Sequence, residues 1–259
     1  MTLPAHAPRR IVHRLTAALR ALLLVLPLAV PGTAAAAPGF YRTPALHGGQ
    51  IWFSAEGDLW RVAAGGGAAE RVTTHPGAET APAVSPDGRQ LAFVGAYEGT
   101  PEVYVMPAAG GTPRRLSWFG ARNLQVWGWT PAGEVLATGP SASGAPDSQL
   151  YAIDPATQRQ RALPVAQARD GAVSADGRTL YFTRGGLRGD NARGYRGGAL
   201  ARLWRLGLEA AAEAEPLTDT SANHWRAMPY RDASGERIAL LADRDGRVNL
   251  WSADARGGA

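Results

Sequence analysis

Three histidines lie beyond residue 36 (His47, His75 and His224), and in a chain without cysteine they are the first place to look for a general base or a metal ligand. None has a second histidine or a carboxylate at ligand spacing. LHGG and THPG around the first two read as turns, and His224 opens a strand beside Trp225, so all three are read as turn or surface residues. The run Gly139-Pro140-Ser141-Ala142-Ser143-Gly144 is a distant echo of a nucleophile elbow, but an elbow needs a strand that feeds a helix, and no helix follows. Gly65-Gly66-Gly67 and Gly110-Gly111 open no helix and carry no Lys-Ser/Thr, so they are hairpin turns rather than phosphate loops. Asp243-Arg244-Asp245-Gly246 starts like a calcium loop but lacks the later oxygen ligands and the closing glutamate, and it reads as a polar hairpin turn. The absence of cysteine removes thiol nucleophiles, thiolate zinc sites and iron–sulfur ligation. What remains is an arginine-rich stretch with Arg184, Arg188, Arg193, Arg196 and Arg202. Planar guanidinium groups bind carboxylates, so Arg188, Arg193 and Arg196 are the candidate ligand loop for acidic groups or a C-terminal carboxylate; the alternative is a solvated loop. Trp118, Trp127, Trp129 and Trp225 are candidates for a binding face or for packing between sheets. No catalytic, cofactor or metal residue is assigned.

The elements that would position these residues are strands. Five segments carry an aromatic at a matching place (GDLWRV, PEVYVM, SQLYAI, ARLWRL and VNLWSA), and Trp60, Tyr104, Tyr151, Trp204 and Trp251 are spaced by 44, 47, 53 and 47 residues. Such a period, with several strands per repeat, predicts a β-propeller. Within each repeat a turn precedes an apolar strand. Ser85-Pro86-Asp87-Gly88 leads into QLAFVG, Thr130-Pro131-Ala132-Gly133 into EVLATG, Ser174-Ala175-Asp176-Gly177 into TLYFTR and Asp232-Ala233-Ser234-Gly235 into RIALLA. Gly48-Gly49 replaces the turn before QIWFSA. Proline presets φ, aspartate bonds the local backbone and glycine accepts positive φ, so these residue types serve geometry. The one helix-like stretch, residues 206–215, has no apolar stripe and reads as a hairpin tip. The expectation is an all-β propeller of four-stranded antiparallel blades near residues 38–76, 77–119, 120–165, 166–219 and 220–259. Residues 185–200 are inserted as a loop before the third strand of the fourth blade. The fifth blade stops after three strands, and an open strand edge is a liability that propellers avoid by closing a ring. Five blades of an expected six, in a truncated chain, is therefore the reading.

Residues 1–36 have the three parts of a secretory signal peptide: a basic start with Arg9, Arg10, Arg14 and Arg20, an apolar run over 17–30, and a small-residue tail Ala34-Ala35-Ala36. Cleavage after Ala36 leaves residues 37–259 and places the chain in the periplasm or outside the cell, with no membrane attachment after cleavage; the alternative is an uncleaved membrane anchor. The basic residues are all arginine, and four of the 27 precede residue 37, so 23 face 22 acidic residues in the remainder. That near-neutral balance removes the main support for nucleic-acid binding.

The SPDG turn followed by an apolar strand and VYVM…GG…RRL resembles the propeller repeats of the periplasmic Tol-system protein TolB and of tricorn-type serine peptidases. The tricorn-like resemblance is the closer of the two and covers about 38–255. It rests on the ordered set of PGFYRTPALHGGQIWFSAEGDLWRV, PEVYVMPAAGG, VWGWTPAG and RGYRGGALARLWRL. It implies the N-terminal, non-catalytic propeller region of an exported serine peptidase. That region would filter or recognise peptides or unfolded segments for downstream PDZ-like and catalytic domains that lie outside this sequence. No position here matches the family's catalytic motifs. The alternative is a TolB-like scaffold that docks a protein partner. A third reading, the lid of a prolyl-oligopeptidase-type enzyme, is disfavoured by the YRGG stretch.

Overall fold

The computed structural model describes residues 39–141, 148–186, 195–209 and 212–256. They form five antiparallel sheets in chain order. The first holds β1 (Arg42–His47), β2 (Gln50–Ala55), β3 (Asp58–Ala63) and β4 (Glu70–Arg71). The second holds β5 (Glu79–Val84), β6 (Gln90–Gly95), β7 (Glu102–Pro107) and β8 (Arg114–Arg115). The third holds β9 (Gln125–Trp129), β10 (Val135–Pro140), β11 (Ser148–Ile153) and β12 (Gln160–Ala162). The fourth holds β13 (Gly171–Val173), β14 (Thr179–Arg184), β15 (Arg202–Gly207) and β16 (Glu215–Pro216). The fifth holds β17 (His224–Asp232), β18 (Gly235–Ala242) and β19 (Asn249–Asp254). Each sheet is a meander whose first strand lies innermost. β1, β5, β9, β13 and β17 touch in succession, so the sheets stand as blades in a ring.

The turns form as their residue types require. In the second blade Ser85 Oγ donates to Asp87 Oδ1 (2.6 Å), which also accepts from Arg89 N–H (3.1 Å), while Ser85 Oγ accepts from Gln90 N–H (2.9 Å). Gly88 completes the turn at φ +74°. The fourth blade repeats the arrangement with Ser174, Asp176, Arg178 N–H and Thr179 N–H. β15 pairs antiparallel with β16, Trp204 opposite Pro216 and Arg205 opposite Glu215, and residues 210 and 211 of the stretch between them lie outside the described residues.

The period-2 rule of a strand explains why LAFV of β6 and LYF of β14 are apolar on successive residues: both faces are buried there. Leu91 and Phe93 pack with Trp52 and Leu59 of the first blade, whereas Ala92 and Val94 pack with Val126 and Val135 of the third. Leu180 and Phe182 face Leu136 and Leu150, while Tyr181 faces Ile238 and Leu240. Every one of these apolar clusters thus lies between two adjacent blades. The recurrent aromatics all sit on third strands at one register, with Trp60 opposite Phe53, Tyr104 opposite Phe93, Tyr151 opposite Ala137, Trp204 opposite Phe182 and Trp251 opposite Leu240. Large apolar side chains stay exposed in the first blade (Leu46) and in the fifth (Tyr230 and Leu250).

Candidate functional site

Two kinds of polar construction stand out, one holding the blades and one facing the centre. The first closes the outer strands. Thr73 Oγ1 accepts from Leu59 N–H (2.9 Å) and donates to the buried Glu79 (2.7 Å). Ser117 Oγ accepts from Val103 N–H (2.9 Å) and donates to the buried Glu102, and Thr218 Oγ1 accepts from Leu203 N–H (3.2 Å). In the third blade the Gln149 amide takes over, donating to the carbonyls of Leu163 (2.7 Å) and Val165 (2.9 Å). Burial pushes the Glu79 carboxyl above its ordinary value against the pull of hydrogen bonds from Thr73 and Tyr97.

The second construction is a central cavity of about 480 Å³ walled by the inner strands β1, β5, β9 and β17. Three of these strands carry a β-bulge with a residue at positive φ: Thr43 (48°), Ala81 (55°) and Arg226 (54°). The extra residue re-aims the strand where it meets its neighbours. Ala81 N–H donates to Thr43 Oγ1 (3.2 Å), and Arg226 N–H donates to Asp170 Oδ2 (2.9 Å), so the bulges stitch successive blades at the centre. Asp170 also accepts from Thr183 N–H (3.1 Å), and its burial raises its carboxyl above the ordinary value. The Arg226 guanidinium stands over the Trp127 ring, 5.6 Å from its centroid. Gln125 and Trp127 separate this cavity from a second one, about 350 Å³, that Arg122, Arg169, Asn123 and Thr138 also line.

The candidate ligand loop is only partly within reach. Arg188 and Arg193 lie outside the described residues. Arg196 donates to the Tyr195 carbonyl (3.0 Å) and sits 3.5 Å from Asp243 Oδ1. Arg184 lies over the Trp204 ring (4.7 Å), and Arg202 donates to the Thr218 carbonyl (2.7 Å). Residues 1–36, and Ala142, Ser143 and Gly144 of the elbow-like run, also fall outside the described residues.

Two readings change. His224 is fully buried rather than a surface residue: its Nε2 accepts from Arg244 Nε (3.2 Å), and burial holds the imidazole below its ordinary pKa. The reason is that β17 starts inside the contact with the fourth blade, where His224 N–H donates to the Ala201 carbonyl. Asp243 begins a hairpin turn as read, yet it is itself buried, accepting from Asn223 N–H (2.8 Å) and Asn223 Nδ2 (2.9 Å). Among the described residues no group of three or more histidine, aspartate and glutamate side chains could hold a metal ion. Sequence reasoning had weighed Trp127 but passed over Arg226 and Asp170, because nothing local marks a residue as the bulge of an inner strand.

A ring of meander blades around a cavity lined by their first strands defines a β-propeller domain. Residues 38–259 match the model of the tricorn protease N-terminal beta propeller domain, and the chain belongs to that family. Tricorn protease homolog 1 of Streptomyces coelicolor is 34% identical over 244 residues, covering 87% of this chain and 21% of that protein. The chain thus spans about a fifth of the length of that relative. Two solved structures share the fold. The crystal structure of the tricorn protease superposes with a TM-score of 0.70 at 21% identity, over 86% of this chain and 22% of that one. A putative TolB from Agrobacterium tumefaciens gives 0.68 at 23% identity, over 86% of this chain and 80% of that one.

Proposed function

We propose that this chain is the peptide-recognition propeller of a longer, exported, tricorn-like serine peptidase and does no chemistry itself. The observation that carries the reading is the central cavity, apolar along Pro44, Ala81, Val126, Met228 and Pro229, in a chain of this family. A ring of that kind admits an extended peptide and turns away a folded domain, which filters substrate by shape before any bond is broken. The basic-apolar-small pattern of residues 1–36 supports export. The exposed Leu46, Tyr230 and Leu250 of the first and fifth blades are surfaces on which the rest of such a protein would seat.

The test is a mixture of unstructured peptides of graded length and a panel of folded domains, incubated with the purified chain. Pull-down with mass spectrometry should show retention of the peptides, no retained folded domain, and no new peptide termini. Retention of a folded partner with no peptide would instead establish a protein-docking scaffold, and appearance of cleaved termini would overturn the non-catalytic role.

A further inference from the structure

A third cavity, of about 680 Å³, opens between the fourth and fifth blades and shares no lining residue with the central one. Strand register sets its walls. On β18 every second side chain points the same way, so Glu236 lies on the face that Ile238 and Leu240 turn toward the fourth blade. Tyr181 of β14 comes from the other side, its ring packed in that apolar cluster and its hydroxyl end at the cavity. Counted from the partners of the third-strand aromatics, the places of Tyr181 and Glu236 are held by Trp52 and Arg89 between the first and second blades. Ala92 and Gly133 hold them between the second and third, and Leu136 and Arg178 between the third and fourth. Among the described residues, a phenol and a carboxylate share only this junction.

Both groups lack a partner. Tyr181 is 3% exposed, and its hydroxyl makes no hydrogen bond among the described residues. Glu236 Oε1 is buried and likewise unpartnered. The neighbouring cations do not supply the need. Arg205 is engaged by Glu215 (3.1 Å) and the Arg256 carbonyl (3.4 Å), and Arg231, opposite Glu236 on β17, makes no ion pair with it. Buried polar atoms nearly always have partners, and these two face the same cavity. Burial pushes the Tyr181 hydroxyl up to about 12, with the Glu236 charge adding to the rise, so the phenol stays neutral at pH 7.

The chemistry of the two oxygens selects the ligand. A carboxylate or phosphate would meet the charge of Glu236. A hard metal ion takes about six or more oxygen ligands, and no cluster of three acids or histidines exists among the described residues. A primary ammonium carries three N–H donors and no acceptor, so a carboxylate oxygen and a phenol oxygen satisfy two of them. The hydroxyls of Thr179 and Ser234, on the same walls, are acceptors for the third. The volume exceeds that of an ammonium ion and leaves room for an alkyl chain. This sequence contains no lysine, so a lysine ammonium would come from another molecule. We propose that the Tyr181–Glu236 cavity is a binding site for a primary alkylammonium group, either the lysine side chain of another molecule or a free amine. The site is separate from the peptide-recognition reading of the central cavity and does not depend on it.

The experiment titrates the full 259-residue chain at pH 7 with three probes, followed by ligand-observed NMR: Nα-acetyl-lysine amide, Nα-acetyl-norleucine amide and n-butylamine. The lysine derivative should bind about ten-fold or more tightly than its norleucine analogue, which keeps the alkyl chain and lacks the ammonium, as expected for a charge-assisted hydrogen bond. Butylamine binding as tightly as the lysine derivative would make a free amine sufficient, and binding about ten-fold more weakly would assign the site to a lysine side chain. Glu236→Gln keeps the shape and removes the charge, and should erase the preference for lysine over norleucine. Tyr181→Phe should weaken lysine binding by about three- to ten-fold, and Glu215→Gln should leave the preference intact. Equal binding of the lysine and norleucine derivatives, or binding of none of the probes, overturns the site and leaves a cavity that holds water only. A preference that survives Glu236→Gln in a variant with native melting behaviour places the ammonium elsewhere and overturns the assignment. The lysine–norleucine comparison needs no variant, so it decides even if Tyr181→Phe or Glu236→Gln does not fold.

Discussion

At the scale of single residues, this molecule places its buried acids where a neighbour's backbone needs an acceptor. Glu102 is the fullest case: it accepts from Ser117 Oγ, Phe119 N–H (2.9 Å), Gly120 N–H (2.8 Å) and Arg115 (3.2 Å). The contact with the fully buried Ser117 hydroxyl satisfies a group that would otherwise be stranded away from water, and a stranded buried donor costs more than a made hydrogen bond returns. Ser117 is the hinge of the set because it serves Val103 N–H and Glu102 at once. Ser117→Ala is therefore expected to destabilise the chain by about 1–3 kcal/mol, lowering the melting temperature by roughly 3–10 °C. Ser117→Thr keeps the hydroxyl and should recover most of that loss. Circular-dichroism melts of the two variants check it, and equal melting of Ser117→Ala and the unmodified chain would show that the hydroxyl is dispensable.

At the scale of the strand and its turn, the pH response follows from two aspartates. Hydrogen bonds from Ser85 and Ser174 hold the carboxyls of Asp87 and Asp176 below the ordinary 3.8. A carboxyl depressed in the folded state contributes stability that is full above the unfolded value and is lost as pH falls through the folded one. The double variant Asp87→Asn/Asp176→Asn should thus be less stable than the unmodified chain above about pH 4, and the gap should close below it. Urea unfolding across pH 7 to 2.5 measures the gap, and a gap that stays constant would mean that the turns draw nothing from these charges. Turns of this kind were readable in the sequence because Ser85, Asp87, Gly88 and Gln90 satisfy one another within five residues. The apolar strands were readable for a related reason: a strand buried on both faces needs no alternation, and QLAFVG and TLYFTR show none. The central site was not readable. Arg226 meets Asp170 from 56 residues away and Trp127 from 99, and only the packing of the third, fourth and fifth blades brings them together. His224 was misread for the same reason, since its burial depends on Ala201 and Arg244 rather than on its own neighbours.

At the scale of the whole molecule, the placement of the core decides how the propeller fails. Its apolar clusters lie between blades and not within them, so a blade on its own leaves both faces of its second strand in water. Stability then resides in interfaces, and removal of one interface weakens both of its blades together. Phe182 tests this, because it is fully buried in the cluster shared by the third and fourth blades, against Leu136 and Leu150. Phe182→Ala deletes most of a large side chain where the surrounding strands cannot collapse, a change worth about 3–5 kcal/mol. The melting temperature should fall by roughly 6–20 °C. Unfolding should remain a single transition, with tryptophan fluorescence and far-ultraviolet circular dichroism coinciding, because the tryptophans are distributed over the blades and report on all of them. Two separated transitions, the first confined to the third and fourth blades, would show instead that each pair of blades folds as its own unit, as in a linear repeat array with only nearest-neighbour coupling. That outcome would also bear on the cavity: a ring whose blades open independently cannot hold Arg226, Asp170 and Trp127 in one fixed constellation.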